Sequence, residues 1–320
     1  AESTRGNHRV KTLLTNGKFQ GDDDPTGEMR AQLGFGMVPL AHTSKRGRAL
    51  VIGLGTGVSS RTIREAGFAN LDVAELSADI ANLTRTHFPH TNHRVLEAPN
   101  VKVLVTDGRN HLLLSEHKYD LIAIELSSIW FAGAASLYNR EFYELVNTRL
   151  GSDGVLQQWM QLHRLTEKDI ASILATVRAV FSQAWLYFVG NQGIIIACNH
   201  DCKPSSEAIA KLNSTSDLKD ALTFFQGRAE NILSQRVLDT DAMDAFVKDA
   251  AGGRDLVSTD DNLLLEYSTP KGNVRPYTES LQENIESLRK YTPRDPLSGT
   301  HLKATDVRLD SSGGPEAPDD

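Results

Sequence analysis

The sequence has few cysteines, no long apolar run and no basic run. Only two cysteines, Cys198 and Cys202, occur in 320 residues, which excludes a disulfide-built scaffold and leaves the redox compartment open. No run of about 18 consecutive apolar residues is present, so this chain is not expected to span a membrane. The net charge is -7 and no basic run is interleaved with aromatic residues, which argues against nucleic-acid binding.

Signatures of several other protein classes are missing. There is no G-x-S-x-G element of a serine hydrolase and no internal repeat. Histidines and cysteines concentrate in HFPHTNH (87–93) and CNHDC (198–202), but neither segment supplies the four ligands of a zinc site, so we interpret both as polar loops and expect no metal. The chain opens at AESTRGNHRV without an initiator methionine, which we interpret as a processed or excised piece whose targeting signal is missing.

Apolar strands alternate with amphipathic helices through the middle of the chain. The pattern predicts strands at 48–53, 70–75, 101–106, 119–125, 154–159 and 193–198. It predicts helices at 57–67, 77–88, 139–149 and 166–181. This order is typical of an α/β fold with a parallel, doubly wound sheet and helices on both faces. A helical stretch (205–250) and a last apolar strand, NLLLEYST (262–269), follow.

The two ends of the chain differ from this middle part. Residues 1–45 are predicted to form a small β-hairpin region, because Asn16 and Gly17 form a strong hairpin signal within a strand-like segment. Residues 46–272 would form the Rossmann-like, nucleoside-binding catalytic domain. Residues 273–320 are rich in Pro, Ser, Gly, Asp and Lys, which predicts a disordered tail apart from a helix in TESLQENIESLRKY.

Three glycines stand where the first strand of the core turns into its first helix. Gly53, Gly55 and Gly57 follow the apolar run ALVI, and glycine there lets the backbone approach a ligand closely. Their spacing is G-x-G-x-G rather than the G-x-G-x-x-G of dinucleotide-binding folds, which weakens an NAD interpretation. A purely structural tight turn is the alternative.

Carboxylates at the ends of the next two strands favour a nucleoside site. Glu75 ends the strand in NLDVAEL, about 20 residues after the glycines, where a carboxylate can accept both hydroxyls of a ribose. Asp107, in VTDGRN, reaches the same edge of the sheet, where an adenine amino group could donate to it. Suitable residues at three successive strand ends are hard to explain by chance, so a nucleoside site is the better hypothesis.

A further carboxylate, Glu125, ends the fourth strand in YDLIAIEL. An acid that follows a largely apolar run is poorly explained as structure, because burying a charge without a partner is costly. Glu125 is therefore a candidate base or amine ligand, with a surface-loop acid as the alternative. Trp130 either walls this pocket or lies in the core.

From LLTNGKFQ to TDDNLLLEYSTP, the chain resembles the spermidine synthase (polyamine aminopropyltransferase) family. It is most similar to the bacterial branch in which this domain follows a membrane-spanning segment. The matching stretches are TNGKFQ, EMRAQ before MVPL, VIGLGTG, TDGRNHLLL, YDLIAIE, LYNREFYELV, GVLQQWMQLHRL and TDDNLLLEY. The resemblance implies a small N-terminal β domain on a Rossmann-like core of the class I methyltransferase type. It also implies a sulfonium nucleoside as co-substrate, either S-adenosylmethionine or its decarboxylated form, and no metal.

The resemblance also implies roles for individual residues. Those on the donor side match the family's glycine loop, ribose acid, adenine-side pair and cleft glutamine, and they are Gly53, Gly55, Thr56, Gly57, Glu75, Asp107, Gly108 and Gln20. Glu125 falls on the first acid of the family's D-S-S-D-P loop, which orients and deprotonates the attacking amine. Gln32 falls on a glutamine of the amine cleft, and Tyr187 falls on the tyrosine of a Y-P-x-G motif.

Several positions depart from the family's pattern, among them Ile129 and Phe188, each of which replaces a proline. The second acid of the loop is Ser128, the tyrosine expected before Gln32 is Ala31, and the aspartate that binds the donor's aminopropyl ammonium is Thr56. A diamine such as putrescine carries two positive charges, and each lost charged hydrogen bond is worth roughly 1.5–3 kcal/mol. The sequence therefore does not establish putrescine as a substrate.

The expected function is transfer of an aminopropyl group from decarboxylated S-adenosylmethionine to an amine. Glu125 would take or hold the amine proton, while Tyr187 and Gln32 would orient the amine. The alternatives are methyl transfer or elimination with intact S-adenosylmethionine, and a catalytically inactive domain that senses the nucleoside. We expect a soluble domain in the cytoplasm, and we leave open both a homodimer and a membrane segment outside this chain.

Overall fold

The computed structural model describes residues 1–15, 17–125, 129 and 133–294. The strands are β1 (Glu2–Arg5), β2 (His8–Thr15), β3 (Lys18–Asp22), β4 (Arg48–Ile52), β5 (Asn70–Glu75), β6 (Val101–Val105), β7 (Tyr119–Ile124), β8 (Leu150–Met160), β9 (Gln183–Val189), β10 (Gln192–Cys198) and β11 (Arg236–Leu238). The α-helices are α1 (Met29–Leu40), α2 (Val58–Glu65), α3 (Ala78–His87), α4 (Gly108–Leu114), α5 (Arg140–Arg149), α6 (Glu167–Arg178), α7 (Ser206–Ser214), α8 (Lys219–Thr223), α9 (Glu230–Leu233), α10 (Thr240–Ala251), α11 (Leu264–Ser268) and α12 (Tyr277–Arg289). Asn16, Ser128, Trp130 and residues 295–320 of the predicted tail lie outside these ranges.

One eight-stranded sheet forms the centre of the fold, in the order β11-β9-β10-β8-β7-β4-β5-β6. Strands β4 to β8 run parallel, as predicted. The prediction of a wholly parallel sheet is wrong, because β10 pairs antiparallel with both β8 and β9, and β11 pairs antiparallel with β9. The cause is a hairpin: Gly190 and Asn191 both have positive φ, +56° and +65°, and such a two-residue turn joins antiparallel strands.

Helices cover both faces of this sheet, so the predicted α/β layering is confirmed. One face packs against α5, α6, α10 and α12. The other face packs against α1, α2 and α7 to α9. Within the described ranges, no helix is both long and apolar enough to cross a membrane.

The small N-terminal β region is a three-stranded antiparallel sheet, in the order β1-β2-β3. Thr15 pairs with Lys18, so β2 and β3 form the predicted hairpin. Arg5 donates to Asp22 at 3.2 Å and to Asp24 at 3.1 Å, which ties β1 to the segment that leads into α1.

Helix α1 was not predicted, because its sequence MRAQLGFGMVPL contains two glycines and a proline, all of which weaken a helix. The glycines are required by close packing. A Cβ on Gly34 would lie 2.7 Å from Val189 Cγ1, and a Cβ on Gly36 would lie 2.6 Å from Thr62 Cβ. Helix α1 therefore lies directly against β9 and α2.

Other differences from the predicted elements lie towards the C-terminus. The predicted strand NLLLEYST is wrong, since its core residues form α11, with Leu265 buried and Tyr267 exposed. Strands β9 and β11 and helix α4 were not predicted. The helix predicted in TESLQENIESLRKY is confirmed as α12, and its Leu281 and Leu288 are buried in the core. The domain boundaries at residues 45 and 272 stay predictions.

The two cysteines form a disulfide, Cys198–Cys202, with both residues buried. From the sequence, the redox compartment stays open. His200 lies close to the two sulfur atoms, but these are already bonded to each other.

Candidate functional site

The glycine loop between β4 and α2 needs glycine at all three positions. Gly53, Gly55 and Gly57 have φ of +93°, +53° and +84°, in the left-handed region that favours glycine. A Cβ on Gly53 would also clash with the carbonyl oxygen of Glu125. A Cβ on Gly55 would meet no atom within 4 Å, so there the backbone is open to a ligand.

Glu75 holds this loop from the end of β5. One carboxylate oxygen accepts the backbone N–H of Leu54 at 3.0 Å, and the other accepts that of Ser77 at 2.9 Å. A carboxylate has about four lone-pair positions, so both oxygens keep capacity for further donors such as ribose hydroxyls.

Asp107 and Gly108 begin α4 at the same edge of the sheet. The Asp107 carboxylate accepts the backbone N–H of Asn110 at 2.8 Å and so caps the helix. A Cβ on Gly108 would clash with Ile52, which explains why glycine stands there. The structure thus places the glycine loop, Glu75 and Asp107 on three adjacent strands, β4, β5 and β6.

Glu125 follows β7, next to the glycine loop. Its backbone N–H donates to Ile52 at 2.8 Å, and the Ser59 hydroxyl donates to its Oε2. Its Oε1 is buried and has no hydrogen-bond partner among the described residues. Burial raises the pKa of the Glu125 carboxyl to about 8, although the bond from Ser59 opposes the shift. Such a carboxyl changes its protonation near neutral pH, as a general base must.

Gln32 connects the N-terminal sheet with the glycine loop. The Thr56 hydroxyl donates to Gln32 Oε1, and Gln32 Nε2 donates to the carbonyl oxygen of Asp22 at 2.8 Å. On β3, the Nε2 of Gln20 is buried without a partner among the described residues. The structure therefore brings Gln32 and Thr56 together and leaves Gln20 with a donor for a ligand.

Tyr187 differs from the predicted site residues described above, because its hydroxyl lies in the core. It is 1% exposed on β9, and its hydroxyl is hydrogen-bonded to His42 Nε2 at 2.8 Å. His42 Nδ1 in turn lies 2.8 Å from the carbonyl oxygen of Cys202. Burial raises the pKa of Tyr187 and lowers that of His42 to about 4, so both are neutral near pH 7. The hydroxyl of Tyr187 thus contacts His42 in the core, and its assignment to orienting an amine stays a prediction.

Sequence reasoning missed a group of residues near Gln32. Glu28, one turn before Gln32 at the start of α1, lies near the side chain of Gln192, which lowers the pKa of its carboxyl. Trp159 Nε1 donates to Gln192 Oε1 at 3.1 Å. Burial raises the pKa of Glu28 to about 7, with the neighbouring Asp22 carboxylate adding to the effect. The signal in the sequence was the spacing of Glu28 and Gln32 within EMRAQ.

Comparison with known proteins gives a consistent result. The family model described as "Spermine/spermidine synthase domain" matches residues 33–190. Polyamine aminopropyltransferase 2 of Pseudomonas aeruginosa is 30% identical over 167 residues, which are 49% of this chain and 48% of that protein. Polyamine aminopropyltransferase of Nitrosomonas europaea is 29% identical, with 49% of each chain covered. The chain thus spans about half the length of these curated relatives.

Solved structures resemble the fold. A crystal structure of spermidine synthase from Thermotoga maritima superimposes with a TM-score of 0.55 at 15% identity, covering 68% of this chain and 78% of that one. A spermidine synthase in complex with the transition state analogue AdoDATO gives a TM-score of 0.52 at 15% identity, covering 68% and 77%. At this identity the likeness concerns the fold alone, and it confirms the predicted Rossmann-like core with a small N-terminal β domain.

Proposed function

Because the chain belongs to the spermidine synthase (polyamine aminopropyltransferase) family, we propose that it transfers an aminopropyl group from decarboxylated S-adenosylmethionine to an amine. The observation that carries the proposal is Glu125: a buried carboxyl beside the glycine loop, with one oxygen unpartnered among the described residues and a raised pKa. A group of this kind can accept a proton from an amine at the moment of attack.

The residues around the glycine loop fit a sulfonium nucleoside. Gly55 leaves the backbone open, Glu75 keeps lone pairs for ribose hydroxyls, and Gln20 keeps a buried donor. We call the residues at positions 53–57, 75 and 107 the nucleoside side of the site.

The reaction is a displacement at carbon. The nitrogen lone pair of a neutral amine forms a bond to the carbon beside the sulfonium sulfur, and the carbon–sulfur bond breaks. Its electron pair stays on sulfur, which releases methylthioadenosine, and Glu125 takes the proton from the new ammonium nitrogen. Holding the two reactants in line and keeping the amine unprotonated are the main contributions of the protein.

A reaction of intact S-adenosylmethionine, by methyl transfer or elimination, is the second candidate. The observation that favours it is Thr56, whose hydroxyl donates to Gln32. A neutral side chain neither repels the carboxylate of intact S-adenosylmethionine nor attracts the ammonium group of the decarboxylated donor, so charge at position 56 does not select between them.

Incubation with each donor, with and without a panel of amines, followed by mass spectrometry, tests the proposal. The expected result is methylthioadenosine together with an aminopropylated amine, formed only from the decarboxylated donor. Methylated products or an amine-independent product from the intact donor would establish the second candidate instead. Binding of methylthioadenosine without any product would identify an inactive nucleoside-sensing domain.

A further inference from the structure

The loop after β10 gathers three side chains that can bind a metal ion. In the segment CNHDC, the sulfur atoms of Cys198 and Cys202 and a ring nitrogen of His200 all lie within 4.8 Å of one another. Among the residues that the structure describes, no other three His, Cys, Asp or Glu side chains form such a group, and the histidines of HFPHTNH do not. The cluster therefore belongs to this loop alone within the described part of the chain.

The two sulfur atoms lie beneath the loop, whereas its polar residues face the solvent. Cys198, at the end of β10, and Cys202 are buried, while His200 is half-buried and Asn199 and Asp201 are exposed. The carbonyl oxygen of His200 lies 3.1 Å from Cys198 Sγ, so the chain folds closely around that sulfur. An ion bound here would contact both sulfurs on its buried side and could enter from the solvent past His200.

Two thiolates and an imidazole form a ligand set that suits zinc. Zinc binds sulfur at about 2.3 Å and imidazole nitrogen at about 2.0 Å, so the ligand atoms of a tetrahedral site lie roughly 3.5–4 Å apart. The Cα atoms of Cys198 and Cys202 are 6.6 Å apart, near the upper end of the range that a disulfide spans, so side-chain rotation can separate the sulfurs to that distance. Three protein ligands leave the fourth position to water.

The loop is also tied to the core through Cys202. Its carbonyl oxygen lies 2.8 Å from His42 Nδ1, and His42 Nε2 is hydrogen-bonded to the hydroxyl of Tyr187. The disulfide fixes Cys202 relative to Cys198, which ends a central strand of the sheet. A metal ion bonded to both sulfurs would hold Cys202 in the same way.

We propose that, once the disulfide is reduced, Cys198, Cys202 and His200 bind a Zn²⁺ ion that closes the loop in its place. A dithiol reductant supplies two electrons and two protons: the S–S bond breaks, two protein thiols form, and the dithiol becomes a disulfide. Zn²⁺ then displaces the two thiol protons to solvent and accepts an electron pair from each sulfur and from the unprotonated nitrogen of His200. The proposal does not depend on the proposed function.

The test compares oxidised and reduced wild type, each freed of reductant under nitrogen and titrated with Zn²⁺ against a chromogenic chelator. The reduced form should bind one more Zn²⁺ per chain than the oxidised form. With Co²⁺ as a spectroscopic substitute, only the reduced form should show thiolate-to-metal charge-transfer absorption. Equal zinc binding by the two forms, or no binding by either, would overturn the proposal.

His200→Ala separates the metal from the disulfide, because it removes one ligand and leaves both cysteines. In the reduced form its zinc affinity should fall by about a hundredfold or more, since changes to the outer partners of metal ligands already cost about 10- to 100-fold. His117→Ala, which replaces an exposed histidine before β7, is the matched control and should bind zinc as the wild type does. Equal zinc affinity of reduced wild type and reduced His200→Ala would contradict the proposed ligand set.

Thermal unfolding tests whether the ion closes the folded loop. Reduction without metal should lower the melting temperature of the wild type by a few degrees, because the open loop gives the unfolded chain more freedom. Added Zn²⁺ should restore the melting temperature in the wild type and in His117→Ala, but not in His200→Ala. Zinc that binds folded and unfolded chains equally would leave the melting temperature unchanged, and that result would show that the fold does not form the site.

Discussion

On the nucleoside side of the site, the acidic groups are bonded to the protein's own backbone: Glu75 accepts from Leu54 and Ser77, and Asp107 accepts from Asn110. Glu125, Gln157 and Gln161 form what we call the acceptor side, where Glu125 and Gln161 each keep a buried oxygen for which the described residues supply no donor. The chain alone therefore satisfies the acids of the first side, whereas on the second side a ligand or water must supply the donors. We expect substitutions on the second side to leave the first side undisturbed.

The largest effect on stability is expected at Gly53, where the glycine loop lies against Glu125. Gly53→Ala would place a methyl group against the Glu125 carbonyl oxygen at a φ of +93°, so the folded state should lose about 3 kcal/mol or more. Urea unfolding measures the loss. The control is Gly55→Ala, which meets no neighbour and should cost roughly 1–2 kcal/mol. Similar losses for both variants would show that positive φ alone matters at position 53.

The second prediction tests whether Glu125 is needed for turnover but not for nucleoside binding. Glu125→Gln keeps the shape and removes the base, so turnover should fall by roughly a hundredfold to ten-thousandfold. Affinity for methylthioadenosine should barely change, because the residues proposed to bind it lie on other strands. Turnover and melting temperature are measured on one preparation. A lower melting temperature with normal turnover per folded molecule would assign Glu125 a structural role.

The third prediction removes an acid, Glu75, from the nucleoside side. Glu75→Ala should weaken methylthioadenosine binding by about 1.5–3 kcal/mol, the value of a charged hydrogen bond, and should also lower stability because the N–H groups of Leu54 and Ser77 lose their acceptor. Calorimetry checks the affinity. Asp79→Ala, an exposed acid in α3, serves as the control. Unchanged affinity would remove Glu75 from the site.

A smaller effect appears in the pH dependence of stability. The folded protein holds protons on Glu28 up to about pH 7 and on Glu125 up to about pH 8, whereas both are lost near pH 4.5 from an unfolded chain. Their contribution to stability is therefore complete below pH 4.5 and disappears as pH rises through 7 to 8. Melting temperatures across this range should fall less steeply in a Glu28→Gln, Glu125→Gln double variant. Parallel curves would contradict the raised pKa values.

The smallest effect concerns donor choice. Thr56→Asp should shift preference towards the decarboxylated donor by about tenfold, because a carboxylate attracts its ammonium group and repels the carboxylate of the intact form. Competition between the two donors, followed by mass spectrometry, measures this ratio. A wild type that already prefers the decarboxylated donor by about a thousandfold would show that Thr56 does not set the choice.

The nucleoside side could be predicted because its residues sit at strand ends that the local pattern marks. Apolar runs place β4 to β7, and Glu75, Asp107 and Glu125 then follow at one edge. The surroundings of Glu28 could not be predicted. Its position depends on α1, a helix that the two glycines in its sequence hide from the pattern, and its neighbour Gln192 is brought near β8 only by the β9–β10 hairpin.

The errors have the same origin. A short apolar run such as NLLLEYST does not distinguish a strand from a helix, and tertiary packing makes it α11. The motif match at Tyr187 likewise gives no direction for its side chain, because that direction depends on β9, which the pattern did not reveal; its hydroxyl contacts His42.

The close packing at Gly34 and Gly36 has a mechanical consequence. Since no side chain of α1 separates its backbone from Val189 and Thr62, the helix cannot shift inward, and the backbone of Gln32 keeps a fixed distance from β9 and α2. Gln32 also donates to the carbonyl oxygen of Asp22, so moving α1 outward would pull on the N-terminal sheet, which Arg5 ties to Asp22 and Asp24.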